Sequence, residues 1–274
     1  MQPDASAIII RDLVTIAEMR EVETLQKEVW GIDDREIFPA LALIPMREVG
    51  AILIGAFDGN HMAGFVFAFP GQEDGRLIIH SDMLAVRPQY RAHGLGYRLK
   101  LAQRERALAN GIDTITWTFD PLRSVNAHLN FSKLGVTADR YCVEYYGETT
   151  SFLHSNGTDR LWVTWRLNSE RVRARIERPE TADQPERETV TPLVKVGHNA
   201  EPILTDAALD QPRTSIEIPA NVNMLLQENA ALARRWREAT RQAFTNALNA
   251  GYTIKEFKLD RRSDQLVGVY SLLR

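Results

Sequence analysis

The stretch from Leu77 to Asn110 constrains the fold more than any other part of this 274-residue chain. Leu77 to Val86 reads as an apolar strand closed by Arg87-Pro88, because proline withdraws a ladder donor. Gly94 to Asn110 reads as a helix, with Leu95, Leu99, Ala102 and Leu108 spaced for burial and Gly111 as its stop. Arg91-x-x-Gly94-x-Gly96 lies between them. A strand that turns straight into a helix presents that helix's first N–H groups, which have no partner inside the helix. The helix dipole adds roughly half a positive charge at the same end. Glycines at 94 and 96 let the chain turn and let a phosphate approach the backbone, and Arg91 adds a charged fork. The segment reads as an anion cradle, weighed against a plain glycine turn before a core helix. A dinucleotide fingerprint needs a third glycine, and position 99 is Leu. A P-loop needs Gly-Lys-Ser/Thr, which is absent.

The flanking pattern supplies the remaining elements. Ile8 to Ile10 reads as a strand, and 15–30 as a helix with Ile16, Met19, Val22, Leu25, Val29 and Trp30 on one face. Phe38 to Met46 reads as a short helix interrupted at Pro45. Ala51 to Phe57 and Met62 to Phe69 read as strands joined through Asp58-Gly59-Asn60, which is hairpin chemistry. Thr114 to Phe119 is β-branched and aromatic. Ser124 to Leu134 is helical up to Gly135, and Arg140 to Tyr146 and Leu161 to Leu167 are strand-like. Residues 169–178 are basic and helical, and 179–212 hold five prolines with one strand at Leu193 to Val196. Ser215 to Ile218 reads as a strand, one long helix is expected over 221–250, and Tyr252 to Leu259 pairs with Leu266 to Leu272. No repeat of fixed period is present.

Composition narrows the class. Apolar residues make up 44% and charged residues 25%, as in ordinary globular chains rather than disordered ones. A net charge of −3 supplies no drive toward nucleic acid. The apolar runs are too short to span a bilayer, and Met1-Gln-Pro-Asp lacks the basic and apolar regions of a secretory signal. The single cysteine, Cys142, excludes an intrachain disulfide and a cysteine-based zinc site. The other histidines, at 61, 93, 128, 154 and 198, show no metal spacing, so no metal is expected. These points set a cytoplasmic compartment as the default, with no nucleic-acid or membrane partner.

Leu84-Ala-Val-Arg-Pro-Gln-Tyr-Arg-Ala-His-Gly-Leu-Gly-Tyr-Arg-Leu-Lys100 resembles the pyrophosphate-binding motif of the GNAT N-acetyltransferase superfamily. Asn126-Ala-His-Leu-Asn-Phe-Ser-Lys-Leu-Gly135 is similar to the helix closing the far side of that family's acyl-CoA cleft. Trp117-Thr-Phe-Asp-Pro-Leu122 and Tyr146-Gly147 are similar to a predicted-acetyltransferase subgroup with a C-terminal extension. The resemblance covers about residues 8–168. It implies an α/β (α+β) fold: a mixed, mostly antiparallel central sheet, flanked by helices and splayed at the cofactor cleft after a bulge in the strand at 79–86. Backbone groups of Leu84, Ala85 and Val86 would pair with the pantetheine of acetyl-CoA or another acyl-CoA. The N–H groups of Ala92, His93, Gly94, Leu95, Gly96 and Tyr97, with Arg91, would hold its pyrophosphate, and Asn126 would contact the pantetheine.

The implied reaction is direct attack by the amine of a small molecule, such as an amino acid, on the thioester carbonyl. A backbone N–H at the bulge would stabilise the oxyanion. His80 lies eleven residues before Arg91, where relatives carry a carboxylate base, and histidine titrates in the right range. Asp82, two residues on and expected on the same strand face, would orient it or bind the substrate's ammonium. The bland alternative for His80 is a hydrogen-bonded strand histidine. Relatives commonly place an acid tyrosine four residues before the glycine ending the second helix; here that position is Phe131. Solvent, Tyr97 or Tyr146 would then protonate the thiolate, or the chain is a catalytically weak CoA-binding or scaffold protein.

Trp30 and Asp120 are candidates for the acceptor site. Against them, Trp30, Trp117 and Trp165 lie on apolar faces, where aromatic residues are more often core, and Asp before Pro is equally natural turn chemistry. Cys142 is expected to be buried. The helix over 221–250 packs on its own hairpin or forms a homodimer contact. The expected organisation is residues 1–168 as the acyl-CoA-binding domain, 169–213 as a connection, and 214–274 as a C-terminal strand-helix-hairpin subdomain.

Overall fold

The computed structural model describes residues 8–91, 93–177, 190–206, 209–262 and 265–274. The chain forms two compact units, one of residues 1–117 with 149–155 and the other of 118–148 with 156–274. The expected boundary at 168 falls inside the second unit. Both contain mixed α/β layers, and strand pairing is mostly antiparallel.

In the first unit, β1 (Ile9–Asp12), β2 (Ile52–Asp58), β3 (His61–Glu73) and β4 (Arg76–Val86) pair antiparallel in chain order. The turn between β2 and β3 is Gly59-Asn60, with Gly59 in the left-handed region at φ 56°. β5 (Thr114–Phe119) pairs parallel to β4. α1 (Ile16–Trp30) begins at a capping box, in which Thr15 accepts from the Glu18 N–H and the Glu18 carboxylate accepts from the Thr15 N–H. Burial raises the Glu18 carboxyl, but those backbone hydrogen bonds and Arg11 outweigh it and hold the pKa at about 2. α2 (Ala40–Glu48) runs straight through Pro45, contrary to the expected interruption. A single proline removes one helical hydrogen bond, and burial of Ala40 and Leu43 keeps the helix seated. Met19, Val22, Leu25 and Val29 of α1 join Leu43, Phe57, Phe65, Phe67, Met83 and Ala85 in one apolar cluster.

The opposite face of the sheet receives α3 (Leu95–Ala109), which packs on β2, β3 and β4. Leu84 lies under Gly96, while its neighbours Met83 and Ala85 point into the cluster with α1 and α2. Residues 149–155 fasten the end of α1. The Ser151 hydroxyl donates to the Trp30 carbonyl at 2.8 Å, and the Phe152 ring fills the space over Gly31.

In the second unit, the sheet runs β7 (Arg160–Arg166), β6 (Thr137–Cys142), β11 (Thr253–Arg262), β12 (Gln265–Leu273), β10 (Arg213–Pro219), β8 (Pro192–Val196), β9 (Pro202–Leu204). The β10–β8 pair is parallel and the others are antiparallel. β9 lies within the proline-rich stretch, where no strand was expected. Residues 178–189 of that stretch lie outside the described residues. β6 starts three residues before the expected Arg140, because Thr137 and Ala138 extend its ladder with β7. α4 (Ser124–Ala127) continues into a π-helical turn, His128–Leu134, that stops at Gly135 with φ 74°. α5 covers Glu170–Glu177.

The single helix expected over 221–250 is two, α6 (Val222–Glu228) and α7 (Ala230–Asn249). Asn229 breaks it, adopting φ −153° and accepting from the Leu232 N–H with its side chain. Asparagine's side chain competes with the helix backbone in this way. Cys142 is half-buried rather than buried. Among the described residues no helix is long and apolar enough to cross a membrane.

Candidate active site

Two features of β4 set the geometry. First, the register against β3 pairs Phe67 with Met83 and Ala68 with Ser81, so Asp82 is an extra residue, a β-bulge. Second, β4 pairs with β5 only through Ile79↔Ile115 and His80↔Thr116. From Ser81 onward the two strands part. Leu84, Ala85 and Val86 are paired on their other side, with Val66, Phe65 and Gly64 of β3. Their β5-side edge has no ladder pairing to β5.

The bulge corrects one expectation. Strict alternation would put Asp82 on the face of His80, and the inserted residue breaks that alternation at Asp82 itself. Asp82 is solvent-accessible, yet the surrounding protein raises its carboxyl pKa by desolvation. His80 occupies the last paired rung. Its Nδ1 lies 3.0 Å from Thr116 Oγ1, and its ring leans on Phe69 at 5.5 Å. The side chain is therefore held on both sides.

The far end of the parted edge meets the α3 N-terminus. Arg87 anchors the connecting turn, with Nε 2.7 Å from Glu28 and Nη2 2.7 Å from Glu21, both on α1. Tyr90 adds a hydrogen bond to Asp58 at 2.8 Å. Arg91 donates from Nε to the Val86 carbonyl, which ties it to the end of β4. Gly94 is the N-cap, left-handed at φ 69°, and no side chain caps this helix end. Gly94 and His93 are exposed, Gly96 and Tyr97 half-buried and Leu95 buried. Desolvation raises the Tyr97 phenol pKa. Ala92 lies outside the described residues. The start of α3 thus leaves its first backbone N–H groups without a side-chain cap among the described residues.

The remaining candidates are engaged elsewhere or lie in the second unit. Trp30 packs edge-on against Phe65 at 6.1 Å, on the rim of the apolar cluster. Asn126 is exposed on α4 of the second unit. Asp120, in that unit too, is not presented to an incoming cation. Its Oδ1 lies 2.8 Å from buried Arg237 and accepts from the Leu122 N–H at 3.0 Å. Phe131 is fully buried against Phe119 and Tyr270. Among the described residues no group of three or more His, Cys, Asp or Glu is placed to hold a metal.

Sequence reasoning missed Lys100. It sits on α3 facing the sheet and is buried. Nζ donates to Ser81 Oγ at 2.7 Å and to Gln103 Oε1 at 3.1 Å, and lies 3.8 Å from the centre of the Trp117 ring. Burial lowers its pKa to about 7. Helical periodicity counts apolar residues only, so a lysine within the buried stripe gives no signal.

Comparison with known proteins adds one sequence match. A family model described as the acetyltransferase (GNAT) family matches residues 16–135. No curated protein matches the chain. Similar solved structures include the ribosomal-protein-S18-alanine N-acetyltransferase of Escherichia coli, 15% identical, TM-score 0.47, covering 59% of this chain and 95% of that one. The acetyltransferase of GNAT family from Streptococcus pneumoniae is 19% identical, TM-score 0.47, covering 57% and 97%. yncA from Salmonella typhimurium, with its cofactor acetyl-CoA, is 15% identical, TM-score 0.48, covering 59% and 95%.

Proposed function

We propose that the protein transfers an acyl group from an acyl-CoA to the amine of a small molecule, a reading supported by the match of residues 16–135 to a family model described as the acetyltransferase (GNAT) family. The observation that carries this reading is the β4 edge. It parts from β5 after His80, and it leads to a helix start that no side chain caps. The diphosphate binds the N–H groups at Gly94 to Tyr97, with Arg91 beside them. The pantetheine arm lies along Leu84 to Val86 as a strand would, using backbone groups that β5 leaves unpaired.

The chemistry follows from the closed end of that edge. An ammonium group has no lone pair, so the acceptor must lose a proton before it attacks. His80, fixed between Phe69 and Thr116, is the base in this reading, and Asp82 at the bulge draws the cationic acceptor. The irregular backbone at the bulge supplies an N–H to the oxyanion. A second reading has one observation in its favour. Phe131 has no proton to give and is core, which fits a CoA-binding protein of low turnover.

One experiment separates these readings. Acetyl-CoA at about 100 times Kd should stabilise the fold by about 2.7 kcal/mol, seen as a rise in melting temperature of several degrees. No shift with acetyl-CoA, succinyl-CoA or CoA sinks both readings. Turnover on a panel of amino acids and amines, reduced at least tenfold by His80→Ala with acetyl-CoA binding retained, supports the enzyme. Binding without turnover supports the second reading.

A further inference from the structure

The parallel ladder of β4 and β5 ends at His80 and Thr116. The next residue on each strand, Ser81 and Trp117, would form the first open rung. Lys100 spans that rung, with Nζ 2.7 Å from Ser81 Oγ and 3.8 Å from the Trp117 ring centre. α3 runs back along β4: Gly96 lies over Leu84 and Lys100 over Ser81. A ligand anchored by its diphosphate at Gly94 to Gly96 and running along the parted edge has its far end at this rung.

On the reading of the preceding subsection, which this one rests on, we propose that Lys100 is the thiolate-binding and proton-donating residue for the sulfur of CoA. The amine nitrogen forms its bond to the thioester carbonyl carbon, and the carbon–sulfur bond breaks with its electron pair on sulfur. The Lys100 ammonium then gives a proton to that sulfur, leaving a thiol and a neutral lysine. His80 has taken one proton from the ammonium before attack; the second N–H proton, made acidic by the new carbon–nitrogen bond, leaves to solvent, which also restores Lys100.

The surroundings suit this task. Ser81, Gln103 and Trp117 contact Nζ, and none of them is charged. His80 and Asp82 flank Ser81 on β4, and Thr116 precedes Trp117 on β5. Desolvation alone lowers Lys100, to about 7. An ammonium without a carboxylate partner in a dry site gains most from an arriving thiolate. At that pKa it is also a stronger acid than an ordinary thiol, whose reference value is about 8.5. This supplies the donor that Phe131 lacks.

The test compares CoA with desulfo-CoA by titration calorimetry near pH 7.5, using the full chain and the variants Lys100→Met and Lys100→Gln. The wild type should bind CoA at least tenfold tighter than desulfo-CoA. Both variants should lose that preference and keep the wild-type affinity for desulfo-CoA. A preference unchanged in the variants overturns the proposal. Acyl mass on the Lys100 peptide after incubation with acetyl-CoA also overturns it, because Lys100 would then be the nucleophile. If the wild type binds desulfo-CoA but shows no preference, only this proposal falls. If it binds neither, the acyl-CoA reading falls with it.

Discussion

Lys100 is a costly residue to bury, and the cost depends on pH in a definite direction. Its pKa falls from an ordinary 10.5 to about 7 because the folded protein desolvates the charged form. Between those values the unfolded chain binds more protons than the folded one, so this group makes stability rise with pH across the window. Above it the lysine is neutral in both states and the penalty vanishes; below it the penalty is complete. A shift of this size corresponds to at most about 5 kcal/mol. Lys100→Met should therefore be more stable relative to wild type at pH 6.5 than at pH 9.5, by a few kcal/mol in denaturant unfolding. An equal difference at the two pH values would show that the amine is not desolvated. His80 differs from Lys100 in what the sequence made visible. Its place before Arg91 marked it as a candidate, while its Thr116 contact depends on strands 36 residues apart and had no local signal.

At the scale of elements, strand register positions the site. Gly64 of β3 faces Val86 across the ladder, and a Cβ there would lie 2.6 Å from the Ala85 carbonyl oxygen. That oxygen is backbone and cannot swing aside. Gly64→Ala should cost about 1–3 kcal/mol, read as a lower urea midpoint. It should also weaken acetyl-CoA binding, because it displaces the edge at Ala85 and Val86. Gly71, where a Cβ would meet only Ile78 at 3.8 Å, is the control, and equal effects at both positions would contradict the argument. The strand-to-helix turn was legible locally, because glycine and proline act within a few residues. The bulge at Asp82 was not visible from alternation. The interruption expected at Pro45 failed because helix burial overrode a local preference.

At the scale of the whole molecule, the second unit joins residues 118–148 to the C-terminal third. Tyr270 donates to the Pro121 carbonyl at 2.7 Å, Phe244 stacks on Tyr141, and Ala138 pairs with Ile254. Asp159 is fully buried. Burial raises its carboxyl, but hydrogen bonds from Arg241, the Glu144 N–H and Tyr141 outweigh it and hold the pKa low. A chain ending at residue 168 loses Arg237, Arg241, Phe244 and Tyr270 together. It should bind hydrophobic dyes and unfold without a cooperative transition, because buried carboxylates would lose their partners. Cooperative melting with full acetyl-CoA stabilisation would show instead that 169–274 is separable. By itself the sequence determined most of the element types and the glycine turn into α3, because propensity and tight turns are properties of neighbouring residues. Only the tertiary structure decided where β4 parts from β5, that Asp120 is bound by Arg237, and that Lys100 is buried at the fork. Each of these is a contact between distant segments, whose free energy exists only once the strands and helices have packed.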